Sequence, residues 1–113
     1  MPCEDIEGCH GGSGMLRFVE VLGDHDPGSA RLAFIHDDVL KPHTSIGVHR
    51  HDDEQEYYYI VSGRGVMILD GEEHDVSAGD ITAVFPGGSH GLINLSNDDL
   101  RIIVIGISTK EPA

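Results

Sequence analysis

A chain of 113 residues is enough for one domain with its own core and too short for a second, cofactor-binding domain. Seven Lys and Arg stand against 20 Asp and Glu, a net charge of −13 with histidine neutral, so nucleic-acid phosphates and anionic lipid headgroups are not expected partners. The longest aliphatic run, 102–107, falls far short of the ~20 residues that a membrane-spanning helix needs.

The head of the chain, 1–10, is acidic and holds both cysteines, Cys3 and Cys9, beside His10. It carries no apolar stretch of the kind that directs secretion. It therefore reads as a peripheral, frayed segment rather than a disulfide or metal site, with the cytoplasm as the default compartment. Nine strand-like stretches follow: 16–22, 30–39, 44–51, 56–62, 65–69, 73–76, 80–85, 91–95 and 100–107. Alternation supports the first two. Phe18, Glu20 and Leu22 oppose Val19 and Val21, and Arg31, Ala33 and Ile35 oppose Leu32 and Phe34. Between strands lie turn signals. Asp70-Gly71 predicts a tight primed hairpin, and 62–65 and 78–80 are further Gly-containing turns. No stretch carries an apolar stripe of helical period over ten residues. The expectation is a single all-β domain over 1–113, a sandwich or small barrel with its core at about 14–108 and a tail at 109–113.

One cluster in the middle of the chain carries chemistry. On a strand, side chains two apart share a face, so His49 and His51 point together and Arg50 points away. Paired imidazoles are nitrogen donors that divalent transition metals favour. Glu56 begins the next strand-like run and offers a carboxylate. His90, in the Gly-rich stretch 86–94, is the candidate fourth donor.

The spacing His49-x-His51-x4-Glu56-x6-Gly63 resembles the first motif of the cupin superfamily, and Gly79, Pro86, Gly87, His90 and Asn94 resemble the second. Together they span 47–94. Two places depart from the pattern. His43 stands where the family has a Gly before its first His, and Phe85 stands where it has the first Pro. The resemblance implies an antiparallel jelly-roll barrel, or double-stranded β-helix, in which His49, His51, Glu56 and His90 hold one divalent ion. Gln55 is the rival to Glu56; the count back from Gly63 and the charge of the side chain favour Glu56. Three imidazoles and a carboxylate leave two places open on an octahedral ion, which suits manganese, iron, nickel or cobalt, with zinc also accommodated.

The early His10-Gly11-Gly12 is similar to that of single-domain cupins of the oxalate-decarboxylase-like kind. That implies a small carboxylate or 2-oxo acid as ligand, with decarboxylase or dioxygenase-like chemistry. Sugar or sugar-acid isomerisation and non-catalytic binding of a small ligand are the alternatives. Tyr58 shares the strand face of Glu56, so Tyr58 and Glu54 are the candidate catalytic side chains. Asn94 is expected to hydrogen-bond at the end of the barrel rather than to ligate. Arg50 and Arg64 are expected in surface ion pairs. His25, His36, His43 and His74 have no matching partner spacing and are expected in exposed polar turns. Edge strands of a small barrel invite a second copy, so a homodimer is expected, with the Gly-rich N-terminal segment a candidate for exchange.

Overall fold

The computed structural model of the chain describes residues 3–7, 12, 14–22 and 32–109. Ten strands occur there: β1 (Cys3–Glu7), β2 (Met15–Leu22), β3 (Leu32–Leu40), β4 (Ser45–Arg50), β5 (Glu54–Ser62), β6 (Arg64–Leu69), β7 (Glu72–Ser77), β8 (Ile81–Val84), β9 (Ser89–Ile93) and β10 (Leu100–Ser108). All nine expected strands are present, their ends moved by a residue or two. No helix among the described residues is long and apolar enough to cross a membrane.

The head of the chain corrects the expectation of a frayed tail. Cys3–Glu7 is a strand, laid antiparallel on β2 with Cys3 opposite Val19 and Glu7 opposite Met15. Its sequence hides this, because Glu4, Asp5 and Glu7 leave little apolar alternation; partner hydrogen bonds, not a hydrophobic face, define the strand. Cys9 and His10 lie outside the described residues.

The strands form two antiparallel sheets. One has the order β1-β2-β3-β10-β5-β8, the other β4-β9-β6-β7. From β3 onward the chain passes repeatedly between the sheets, which is the connectivity of a jelly roll. Turn chemistry drives the reversals. Asp70 and Gly71 both take positive φ, 49° and 83°, as a primed hairpin between β6 and β7 requires. His43 also sits at positive φ, 59°, in the turn before β4. That explains why a glycine suits this place in the motif, and His43 Nε2 meets Asn97 Oδ1 at 3.1 Å.

Register sorts the six-stranded sheet into two faces. One row runs Phe34–Gly106–Glu56–Val84, the next His36–Val104–Tyr58–Thr82, the next Asp38–Ile102–Ile60. These rows face the second sheet, where Ile46, Met67, Val76 and Leu92 meet them. Leu40, Ile60, Met67, Leu92, Leu100 and Ile102 have no exposed surface. Each contributes roughly 2 kcal/mol by leaving water. The opposite face carries Ile35, Ile105, Tyr57 and Ala83, then Asp37, Ile103, Tyr59 and Ile81. Its last two residues are exposed.

Candidate metal centre

Four side chains from three strands and one loop converge between the sheets. His49 ends β4, and His51 follows it in the connection to β5. His90 lies on β9 directly across from His49 in the β4–β9 ladder, and Glu56 reaches in from β5 on the other sheet. The loop around His51 is braced by backbone hydrogen bonds: its N–H donates to Gly88 O, and its carbonyl accepts from Gly87 N–H at 2.7 Å.

The three imidazole centroids lie 4.7 to 5.1 Å apart with their planes strongly inclined. His51 Nε2 is 3.1 Å from Glu56 Oε2, and His90 Nε2 is 3.3 Å from Glu56 Oε1. One donor atom from each of His49, His51, Glu56 and His90 lies within 4.8 Å of the others. Glu56 and His90 are buried, with 4% and 1% of their surface exposed. A cluster this dry and this dense in lone pairs needs a shared cation or proton between its members.

Neighbouring groups fix which nitrogens face the centre. His49 Nδ1 donates to Gly47 O at 2.8 Å, leaving the lone pair on Nε2. His51 Nδ1 lies 3.5 Å from Glu54 Oε1, a carboxylate that holds the ring by its outer nitrogen. Burial alone pushes the Glu56 carboxyl up. The hydrogen bond from His90 and the adjacent His51, His90 and His49 rings outweigh it, holding the carboxyl below its ordinary value. The donor set is therefore one anion and three imidazoles, the chemistry of a divalent transition ion's site.

Other sequence expectations are resolved by contacts. Gln55 points to the opposite face and accepts a hydrogen bond from Tyr57 Oη at 2.9 Å, so Glu56 and not Gln55 joins the cluster. Tyr58 is buried and packs its ring on His90, centroids 4.6 Å apart. Asn94, fully buried, donates to the carbonyls of Leu40, Lys41 and Asp98 and accepts from Ser96; it staples the end of the barrel and stays out of the cluster. Arg50 pairs with Asp52 at 2.7 Å. Arg64 borders a surface groove of about 430 Å³ with Asp75, Ser77 and Leu95 that shares no residue with the cluster. The chemically informative cavity is the smaller one, about 260 Å³, lined by His51, Glu54, Glu56 and Tyr58 and closed by Leu16, Phe34, Ile46 and Val104.

The same cavity corrects the reading of the other histidines. His36 is on β3, not in a turn, and lines the cavity together with Asp38. His74 is on β7, and among the described residues only His43 of this group occupies a turn as expected. His25 lies outside the described residues. The signal for His36 was local: it shares strand parity with Phe34, and Asp38 shares it too. What the spacing lacked was the knowledge that this face looks toward Glu56 and Tyr58, two strands away.

Comparison with known proteins agrees with this geometry. Residues 37–106 match the family described as cupin domain. A protein of Thermotoga maritima named oxalate-binding protein is 31% identical over 102 residues, covering 90% of this chain and 84% of its own length. The crystal structure of a predicted oxalate decarboxylase, also from Thermotoga maritima, superposes with a TM-score of 0.89 at 30% identity, over 94% of this chain and 91% of that one. An uncharacterized protein of Methanocaldococcus jannaschii is 39% identical over 56 residues, half of this chain and 45% of its own. With a family match across most of the chain and a relative similar along nearly its whole length, this jelly roll belongs to the cupin domain family.

Proposed function

We propose that this cupin binds one divalent transition ion through His49, His51, Glu56 and His90 and takes a small carboxylate or 2-oxo acid at the positions left open. The convergence of those four donors within 4.8 Å carries the reading. The similarity to a protein named for binding oxalate supports the ligand class. Manganese, iron, nickel and cobalt fit the donor set best. Such an ion, when bound, polarises a carboxylate or carbonyl oxygen as a Lewis acid.

The chain's own residues supply the rest. Glu54 holds His51 by Nδ1 and faces the cavity, so it both orients a donor and presents a carboxyl to the ligand. Tyr58 lines the same cavity and backs His90, fixing that ring from behind. Leu16, Ile46 and Val104 exclude water from the remaining walls. Glu54 and Tyr58 are the groups we assign to proton handling if the ligand is turned over. Decarboxylation and isomerisation differ in whether carbon is lost, which NMR of a substrate panel reads directly; a ligand that is bound and left unchanged makes the protein a binding module.

Elemental analysis tests the centre. The wild-type protein is expected to carry about one Mn, Fe, Ni or Co per chain and His49→Ala close to none, since removing one of four ligands opens the site. Equal metal in both proteins contradicts the proposal.

We also infer that the outward face of the six-stranded sheet joins two copies. Ile35, Ile103, Ile105 and Tyr57 there are half-buried, and Tyr59 and Ile81 are exposed, an apolar stripe on a chain of otherwise high negative charge.

A further inference from the structure

The wall of the cavity opposite the cluster is built by β3, where two polar side chains stand beside the ring of Phe34. His36 and Asp38 both line it, on the same face of one strand. They are separated from Tyr58 and Glu56 by β10, since Val104 is the cross-strand neighbour of both His36 and Tyr58. Two strand spacings put β3 roughly 10 Å from β5. A ligand anchored at the cluster therefore extends toward His36 and Asp38. The cavity volume of about 260 Å³ leaves room for more than two carboxyl groups.

The β3 wall is also fixed in place. The ring of Phe34 stacks on His36, centroids 4.4 Å apart and planes within 19°, and Asp38 is 3% exposed. The chemistry of the wall is mixed. A carboxylate accepts hydrogen bonds and repels a second anion; an imidazole donates or accepts one. Counting both ends, the cavity lining holds three carboxyls, Asp38, Glu54 and Glu56, against two imidazoles, His36 and His51. A ligand whose far end is a second carboxylate would meet Asp38 at close range. A ligand whose far end is a hydroxyl donates to Asp38 and accepts from His36.

We propose that His36 and Asp38 are specificity-determining residues that select a hydroxyl-bearing monocarboxylic acid over a dicarboxylic acid of the same length. This deepens the proposed function and rests on its assignment of the cavity as the ligand pocket. The cluster takes the carboxylate end, and β3 reads the other end.

Three acids that share a 2-hydroxycarboxylate and differ only at the far carbon test it: glycerate with a hydroxymethyl group, lactate with a methyl and tartronate with a carboxylate. Binding of each is measured by calorimetry on the Mn²⁺-loaded full-length protein and on the protein without added metal. Wild type is expected to bind glycerate roughly fivefold tighter than lactate and at least about tenfold tighter than tartronate, as one hydrogen bond and one like-charge contact dictate. Asp38→Asn is expected to bring the tartronate penalty below about threefold. His36→Leu is expected to remove the preference for glycerate over lactate, and His36→Gln, which keeps a donor and an acceptor, to restore part of it. Manganese content should stay at the wild-type level in all three variants. A wild type that binds tartronate as tightly as glycerate overturns the inference, as does an unchanged preference in both Asp38→Asn and His36→Leu. A wild type that takes up no Mn²⁺ yet still prefers glycerate overturns the metal assignment and leaves the β3 wall standing.

Discussion

The ring of Phe34 occupies the space that a side chain at Gly106 would fill. The two residues are direct cross-strand neighbours on β3 and β10, and a Cβ built on Gly106 would clash with the Cδ1, Cε1 and Cζ atoms of the phenyl ring. The glycine lets the ring lie flat over the sheet, where it stacks on His36 and forms one wall of the cavity. Replacing it is therefore an overpacking change at the pocket.

Gly106→Ala is expected to lower stability by about 1–3 kcal/mol in urea melts, because the Phe34 ring has to rotate away from β10. Phe34→Leu in the same chain should return part of that loss, since contacting residues do not add independently. Two losses that simply sum would show that the ring does not depend on the glycine.

Glu54 acts on the centre through His51. Glu54→Gln keeps the shape of the side chain and removes the charge that holds Nδ1. Metal affinity is expected to drop roughly tenfold to hundredfold with the stoichiometry still near one ion per chain. Competition with a coloured chelator measures this, and an affinity equal to wild type would exclude the orienting role.

The lowered carboxyl of Glu56 makes the metal-free fold sensitive to acid. A group whose folded value is below its ordinary value, here 4.5, stabilises the fold above that value and ceases to do so as pH falls through the folded one. Wild type should thus lose stability as pH falls through and below 4.5 more steeply than Glu56→Gln, which has no proton to take up. Urea melts of metal-free protein across that range are the check; parallel curves would mean that Glu56 is not held ionised.

The apolar outward stripe predicts a dimer in solution. Multi-angle light scattering is expected to give twice the chain mass for wild type and the chain mass for the pair Tyr59→Asp and Ile81→Asp, which places charges on the two exposed members of the stripe. A monomeric wild type at all concentrations would leave that face without a second copy.

Much of this protein was legible in the order of its residues. Strand parity is a local property, so His49 with His51, and Glu56 with Tyr58, could be assigned to shared faces from spacing alone. Asp70-Gly71 announced its hairpin because few dipeptides tolerate positive φ at both places. The same parity argument put His36 and Asp38 with Phe34. Spacing could not say what that face looks onto, because their nearness to Glu56 depends on β10, some seventy residues downstream, inserting between β3 and β5. Nor could it reveal β1, whose acidic sequence has no pattern of its own and is a strand only because β2 offers an unpaired edge. The direction in which a side chain points is set by its neighbours in the chain; the company it keeps is set by loop closures and cross-strand pairing between distant segments, and those exist only in the folded molecule.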